Sequence, residues 1–468
     1  MKIHILAASL ILVFVSVASQ NLFADERDDR IQSLEKRVEQ LEKLLQAQDA
    51  RKASAPPVEA PKPAEPPKPG PKLSVGENGF AMQSGDSNFV LRLRGILQVD
   101  SRTYIDDGGI KNNDMLLIRR ARPIFEGTLF RDFDFRLQTD FAGAGAPTLR
   151  DAYLNYRYSD PFQLRFGKFK TPVGLEQLQS DAGTMFIERS LVSDITPSRD
   201  VGVQFGGKAM DGLVNYAIGV FNGVGDGRSS INVDTDDEKS FAGRLFVFPF
   251  HLAGVKPLQK LGIGVGGSFA RTEGAASLPS GNGFATEGQQ QFFTYRTSAN
   301  PTNANVVADG NHWRISPQFS WYYGPWSALG EYVVSSQQLR RSDTGFLRTI
   351  ENSAWQVAAG YVLTGEDTSD RGVAPRRSFN PHENSWGALE FVARLSSLDV
   401  DNAAFPLFAN PATSATEAMA WSAGLNWYLN KNIRTGVNFF HTNFKGGQSG
   451  SVTAQDENAF LTRVQLAF

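Results

Sequence analysis

Hydrophobic and polar residues alternate one by one along most of the chain from about residue 88. In LRLRGILQVD (91–100), Leu91, Leu93 and Leu97 lie on one face of an extended strand, and Arg92 and Arg94 lie on the other. The segment FDFRLQTDF (133–141) repeats the pattern. A face charged this regularly does not suit the dry core of a soluble β-sandwich. It is typical of a transmembrane β-barrel whose outer side chains contact lipid and whose inner side chains contact water.

The alternation predicts an all-β fold, an antiparallel barrel of about 16 strands. The strands lie near 89–104, 115–130, 133–142, 149–158, 162–170, 200–209, 213–222, 240–250, 260–271, 311–323, 326–336, 353–364, 386–398, 419–429, 432–444 and 458–468. Connections after even strands are mostly short and those after odd strands mostly longer, as in barrels with short periplasmic turns and long outer loops. Residues 291–296 are an alternative position for the tenth strand. The connection 365–385 is long on the short-turn side, and the sequence pattern gives no reason for it.

Three segments precede the barrel, which we assign to residues 76–468. Residues 1–24 are predicted to be an export signal, because a positive start is followed by an apolar run and small residues, with cleavage after Ser19 or Ala24. A buried N-terminal helix is the alternative. Residues 25–50 are predicted to form a coiled-coil helix, since apolar residues recur at spacings of three and four. Residues 51–75 are rich in Pro, Ala and Lys and are predicted to be an extended Pro-rich linker.

The short coiled coil bears on assembly and location. It spans about three heptads, so it needs partner copies, and a homotrimer fits. A solvated single helix is the alternative, and contact with the cell wall through this segment is a further hypothesis. An even number of strands places both ends of the barrel, and therefore the N-terminal region, in the periplasm. The last strand ends at Phe468, on one face with Phe460 and Val464, as outer-membrane barrels commonly do.

The amino-acid composition mainly excludes certain classes of protein and of functional site. No stretch after the export signal approaches the ~20 apolar residues of a membrane helix. The chain has no Cys, which excludes disulfides and thiol chemistry. None of the five His residues lies beside a nucleophile motif, and the Gly run 262–267 alternates with Ile263 and Val265, as in a close-packed strand. The sequence therefore predicts no enzyme, no cofactor, no metal site and no nucleic-acid partner.

Strand parity assigns more cations than carboxylates to the barrel interior over the first eight strands. The cations are Arg92, Arg94, Arg102, Arg120, Arg122, Arg136, Arg157, Arg165, Lys208 and Arg244, and the carboxylates are Asp100, Glu126, Asp134, Asp140 and Asp151. Arginine stays charged at any relevant pH and its fork of donors matches oxyanions. Rings of Arg and Lys select anions in pores, so we expect small anions as solutes. The alternative is that these arginines pair with the carboxylates and only brace the wall.

The loop 171–199 is rich in Leu, Met, Phe and Ile for an exposed loop. Such a loop is expected to fold into the barrel and narrow it. Basic residues would then lie near the constriction beside acidic ones: Lys168, Lys170, Arg189 and Arg199 beside Glu176, Asp181 and Glu188. The alternative is an outer loop that packs on a neighbouring copy of the chain.

Four segments, RRARPIFEGTLFRDFDFRLQTDFA (119–142), DAYLNYRYSDPFQLRFGKFKTPVGLE (151–176), MFIERS (185–190) and TPSRDVGVQFGG (196–207), resemble the phosphate-selective porin O/P family. The resemblance implies a trimeric barrel in outer-membrane lipid of a Gram-negative-type cell, with an inward third loop. It also implies uptake of small anions, phosphate or polyphosphate first, along a basic ladder. Arg119 and Arg120, and the FGKFK lysines Lys168 and Lys170, match motif positions, although parity points Lys168 outward unless a bulge intervenes.

The residues predicted to line the pore are Arg92, Arg94, Arg119, Arg120, Arg122, Arg136, Arg157, Arg165, Lys168, Lys170, Arg189 and Arg199. Two other functions stay open at this point. One is a general or carbohydrate porin without phosphate selectivity, and the other is a structural barrel that tethers the envelope.

Overall fold

The computed structural model describes residues 33, 36–47, 70–105, 113–143, 145–232, 234, 237–272, 283–297, 305–447 and 454–468. The chain divides into two compact units, residues 1–67 and 68–468. In the first unit, residues 36–47 are helical and exposed. The predicted export signal and residues 51–69 of the predicted linker lie outside the described residues. Among the residues described, no helix is both long enough and apolar enough to cross a membrane.

The described residues of the second unit form 22 strands in chain order. They are β1 Lys72–Gly76, β2 Gly79–Gln83, β3 Val90–Ile105, β4 Met115–Leu129, β5 Phe133–Asp140, β6 Thr148–Arg157, β7 Gln163–Lys170, β8 Arg199–Ala209, β9 Val214–Phe221, β10 Ser240–Val247, β11 Gly262–Thr272, β12 Phe284–Ala285, β13 Gln291–Phe293, β14 Val306–Tyr323, β15 Trp326–Arg341, β16 Leu347–Val362, β17 Thr368–Ser369, β18 Gly372–Val373, β19 Ala388–Asp399, β20 Ala415–Tyr428, β21 Ile433–Gly446 and β22 Glu457–Ala467. The helix Leu175–Leu178 and the 3-10 turns Leu191–Asp194, Met210–Gly212, Lys256–Leu258, Pro381–Glu383 and Asn402–Ala404 lie between them.

Sixteen of these strands form a closed antiparallel barrel. They are β3–β11, β14–β16 and β19–β22, and β22 pairs with β3 to close the sheet. The predicted barrel is therefore confirmed. The tenth barrel strand is β14, and the alternative segment contributes only β13, which pairs with β12.

Side-chain exposure follows strand parity, as a barrel between lipid and water requires. Leu137, Leu154 and Phe166 are 40–45% exposed on the outer face, whereas Gln138 and Asn155 are 2% and 4% exposed. The buried polar side chains therefore point into the lumen.

The hairpin β1–β2, which the sequence pattern did not predict, lies at the seam of the barrel. Residues Phe80–Gln83 pair with the first residues of β3. The amide of Phe468 donates to the carbonyl of Gly95, and the amide of Gly95 donates to the carbonyl of Phe468, both at 3.1 Å. The ring of Phe468 covers Gly95 and packs edge-on against Phe80, with 6.4 Å between the ring centroids. The end of the last strand is thus held by β3 and by the β1–β2 hairpin.

A substitution at Gly95 is expected to weaken this seam. A Cβ atom at Gly95 would lie 2.9 Å from Cζ of Phe468, so Gly95→Val must displace the ring, at a cost of about 1–3 kcal/mol. The unfolding temperature, followed by circular dichroism in detergent, should fall. Gly145→Val is the matched control, because a Cβ atom there meets no atom within 4 Å. Equal unfolding temperatures for the two variants would show that the Phe468 contact does not stabilise the seam.

The apolar core lies inside the barrel, where connections fold inward onto the strands. Phe284 and Phe293 from the β11–β14 connection pack with Leu191 and Ile195 from the β7–β8 connection, and both pairs contact the inner faces of later strands. These contacts bury apolar loop residues that would otherwise face water.

The long 365–385 connection also has a structural reason. It forms β17 and β18, and the amide of Thr368 donates to the carbonyl of Gly324 at 2.9 Å. Val373 packs with Tyr428 on the inner wall, and the carbonyl oxygen of Asp370 would lie 3.1 Å from a Cβ atom at Gly183. The connection therefore folds in from the short-turn side and meets the β7–β8 loop.

Candidate functional site

The β7–β8 loop, residues 171–198, crosses the lumen. It leaves the wall at β7 and returns at β8, yet it is anchored on distant strands. Glu331 on β15 accepts hydrogen bonds from the amides of Leu175 (2.8 Å) and Glu176 (3.2 Å). Arg463 on β22 donates to the carbonyl of Ile187 at 2.6 Å, and Arg434 on β21 donates to a further loop carbonyl at 2.8 Å. The loop folds into the barrel, as its apolar residues predicted, and does not lie outside it as the alternative required.

A second inward segment, residues 283–297, is joined to the first by a buried ion network. Arg394 on β19 pairs with Glu176 at 3.2 Å and with Glu287 at 2.7 Å. Glu287 also accepts hydrogen bonds from Ser396 and Ser422 of the wall. Together with the apolar core inside the barrel, these contacts fill the lumen beside β15–β22. Space remains beside β4–β10.

That space includes two cavities lined by charged residues. The first, of about 500 Å³, reaches toward the short turns, and we call it the turn-side cavity. Its charged lining is Arg136, Asp151, Arg165, Lys170, Asp181, Arg199, Lys208 and Arg244. The second, of about 360 Å³, lies under the long loops, and we call it the loop-side cavity. Its charged lining is Arg119, Arg120, Arg122, Arg150, Asp181, Glu188, Arg189, Asp194 and Arg199.

The two cavities share Asp181 and Arg199 at their junction. Four arginines surround the carboxylate of Asp181: it is in contact with Arg122, and it lies 2.6 Å from Arg189, 3.7 Å from Arg199 and 3.9 Å from Arg120. Burial raises the pKa of Asp181, but the surrounding cations outweigh burial and hold this pKa well below its ordinary value. The carboxylate stays ionised, and the cations around it outnumber it.

Glu188 forms a second carboxylate centre in the loop-side cavity. Arg119 donates two hydrogen bonds to it, at 2.6 and 3.0 Å, in the bidentate geometry that arginine favours. Burial raises the pKa of Glu188, and Arg119 with Arg463 outweighs burial and lowers the pKa below its usual range. This pair fixes the loop against β4.

Two β-bulges decide which side chains reach the loop-side cavity. On β4, Gln98 faces Arg120 and Val99 faces Ile118, so Arg119 is the extra residue. On β6, Gln138 faces Asp151 and Thr139 faces Leu149, so Arg150 is the extra residue. An extra residue breaks the strict alternation of the strand. Both Arg119 and Arg120 therefore border the cavity, and Arg150 joins them although parity did not predict it.

The other predicted residues lie in three places. Arg136, Arg165, Lys170 and Arg199 border the turn-side cavity. Arg92 and Arg157 border a space at the turn end, beside Glu126 and Asp134, and Arg94 pairs with Glu126 at 3.1 Å. Lys168 donates to the carbonyl of Ser230 and to the side chain of Asn232, both at 2.6 Å, so it holds the β9–β10 connection and borders neither cavity.

His312 on β14 and Ser335 on β15 form a buried contact whose geometry indicates a structural role. Nε2 of His312 lies 3.0 Å from Oγ of Ser335, but that hydroxyl donates to Asp226 at 2.9 Å. Nδ1 of His312 faces Arg314 instead of a carboxylate, the reverse of a catalytic triad. Arg314 also donates to Asp226 at 2.7 Å. The group ties the β9–β10 connection to β14 and β15.

Comparison with known proteins gives a consistent picture. Residues 91–468 match the family described as phosphate-selective porin O and P. Porin O of Pseudomonas aeruginosa is 24% identical over 429 residues, which cover 84% of this chain and 91% of that protein. Among solved structures, the outer membrane channel DcaP of Acinetobacter baumannii has a TM-score of 0.52 at 12% identity, covering 82% of this chain and 99% of that one. That structure shares the fold.

Proposed function

Since the chain belongs to the family of phosphate-selective porins O and P and is an outer-membrane β-barrel porin, we propose that it carries small anions by passive diffusion through a lumen lined by Arg and Lys. Phosphate or polyphosphate is the first candidate solute. The members that the chain resembles are channels rather than enzymes, and we assign it no catalytic role.

The observation that carries the proposal is the charge balance of the two cavities. The turn-side cavity has six Lys and Arg side chains against two carboxylates, and the loop-side cavity has six Arg against three. Guanidinium groups remain charged at any relevant pH. An anion that crosses the junction therefore meets a net positive potential on both sides.

Pairing with carboxylates braces the wall but does not cancel this potential. Asp151 accepts from Arg199 at 2.8 Å and lies 3.6 Å from Arg136, so one carboxylate is shared between two cations. Asp181 is shared among four. The same ion pairs thus brace the wall and leave an excess of positive charge that favours anions.

We further propose that the protein is a homotrimer, with the N-terminal helix in the periplasm holding three copies together and available for contact with the cell wall. Helices of this length are marginal when isolated, which favours association.

Block of the chloride current by phosphate tests the solute. In planar bilayers with purified protein, phosphate added at constant ionic strength should reduce the KCl conductance in a saturable way, because the arginines bind it in competition with chloride. Maltose at the same concentration should not. Block by maltose with no response to phosphate would support a carbohydrate porin and reject the proposal.

A further inference from the structure

Within the described residues, Arg165 is the arginine of the turn-side cavity with neither an acidic partner nor a hydrogen bond; Arg244 also lacks an ion pair, but its Nε donates to Oε1 of Gln318 at 2.8 Å. Arg136 pairs with Glu126 at 2.7 Å, and Arg199 pairs with Asp151 at 2.8 Å. Within the described part of the chain, Arg165 forms no ion pair, and its buried Nε has no hydrogen-bond acceptor. Its charge is therefore free to act on a solute.

Two aromatic rings hold the guanidinium of Arg165. Its Cζ lies 4.5 Å from the ring centre of Tyr153 and 5.4 Å from that of Phe169. The two rings are nearly perpendicular, with centroids 6.1 Å apart. Rings attract the faces of a guanidinium, and its donor edge remains for the two oxygens of a carboxylate.

The remaining walls of the turn-side cavity are partly apolar. Pro172 and Leu178 of the inward loop and Ile96 of β3 border it, together with the rings of Phe169 and Tyr153. The loop-side cavity, by contrast, is bordered almost entirely by charged and small polar side chains. A hydrated inorganic anion uses only the charged part of the turn-side cavity, whereas an anion with an apolar ring contacts both parts.

We propose that the turn-side cavity binds aromatic carboxylates, with the carboxylate on the edge of Arg165 and the ring against Phe169, Tyr153 and Leu178. The inference rests on the proposed anion passage and extends it to a class of organic solute.

Current block by benzoate, with acetate as the probe that lacks a ring, tests this assignment in planar bilayers. In the unaltered protein, benzoate should block the chloride current at a concentration about tenfold lower than acetate, since only benzoate buries a ring. Arg165→Gln should weaken block by both probes about tenfold, the scale of one charge-assisted hydrogen bond.

The variant Phe169→Leu separates the ring contact from the charge. It should weaken benzoate block about threefold or more and leave acetate block as it is. Phe166→Leu, on the lipid-facing side of the same strand, is the matched control. Circular dichroism unfolding in detergent establishes that each variant is folded before its current is measured.

Equal block by benzoate and acetate in the unaltered protein would overturn the assignment, as would equal benzoate block in Phe169→Leu and Phe166→Leu. These results leave the proposed function standing if chloride still carries the current and phosphate still blocks it. Current carried by potassium would reject the proposed function itself.

Discussion

Arg394→Met is expected to destabilise the folded barrel by about 3–5 kcal/mol, because it leaves two carboxylates buried without a cation. Arg394 is 2% exposed. It lies 3.2 Å from Glu176 and 2.7 Å from Glu287, and it donates to the carbonyl of Glu188 at 3.2 Å. This one side chain joins the two inward segments to each other and to the wall. Unfolding in urea, followed by tryptophan fluorescence in detergent, measures the loss.

Two further variants make the result specific. Arg348→Met removes an exposed arginine from β16 and should change stability by less than about 0.5 kcal/mol. Adding Glu287→Gln to Arg394→Met removes one of the stranded charges and should recover part of the loss. If Arg394→Met were as stable as Arg348→Met, the buried network would not be what holds the loops.

Arg199→Gln is expected to lower the permeability ratio of chloride to potassium about tenfold. Arg199 is the cation that borders both cavities. Its removal subtracts a positive charge 3.7 Å from Asp181 and also releases Asp151, which it holds at 2.8 Å. In a partly buried site, removing one charge at this distance changes the electrostatic free energy of a passing ion by more than about 1 kcal/mol. Reversal potentials in a KCl gradient give the ratio.

The same position offers a charge-matched test. Arg199→Gln combined with Asp151→Asn removes one charge of each sign and should return most of the anion preference. Arg348→Gln, an exposed position on β16, should leave the ratio unchanged. An unchanged ratio in Arg199→Gln would mean that the current does not pass the junction at Asp181.

The sixteen barrel strands were predictable because strand parity alone decides the surroundings of most side chains. Leu137 contacts lipid and Gln138 faces the lumen simply because they are neighbours on an extended strand. The rule fails where a bulge adds a residue. Arg119 and Arg150 occupy such positions, and an extra residue leaves no trace in an alternation that resumes after it.

The interior of the barrel was less predictable than its wall. The β7–β8 loop carried enough apolar residues to predict that it folds inward. The sequence did not predict that residues 283–297 and the 365–385 connection also fold inward, because their partners are distant in the chain. Glu287 pairs with Arg394, and Val373 packs with Tyr428. Likewise, nothing in the sequence around Arg165 shows that its partners are rings and not carboxylates.

The reversal potential of the unaltered protein in a KCl gradient tests the central claim most directly. A lumen with a positive junction should give a potential near the chloride equilibrium value, at low and moderate salt alike. A potential near the potassium equilibrium value would contradict the account.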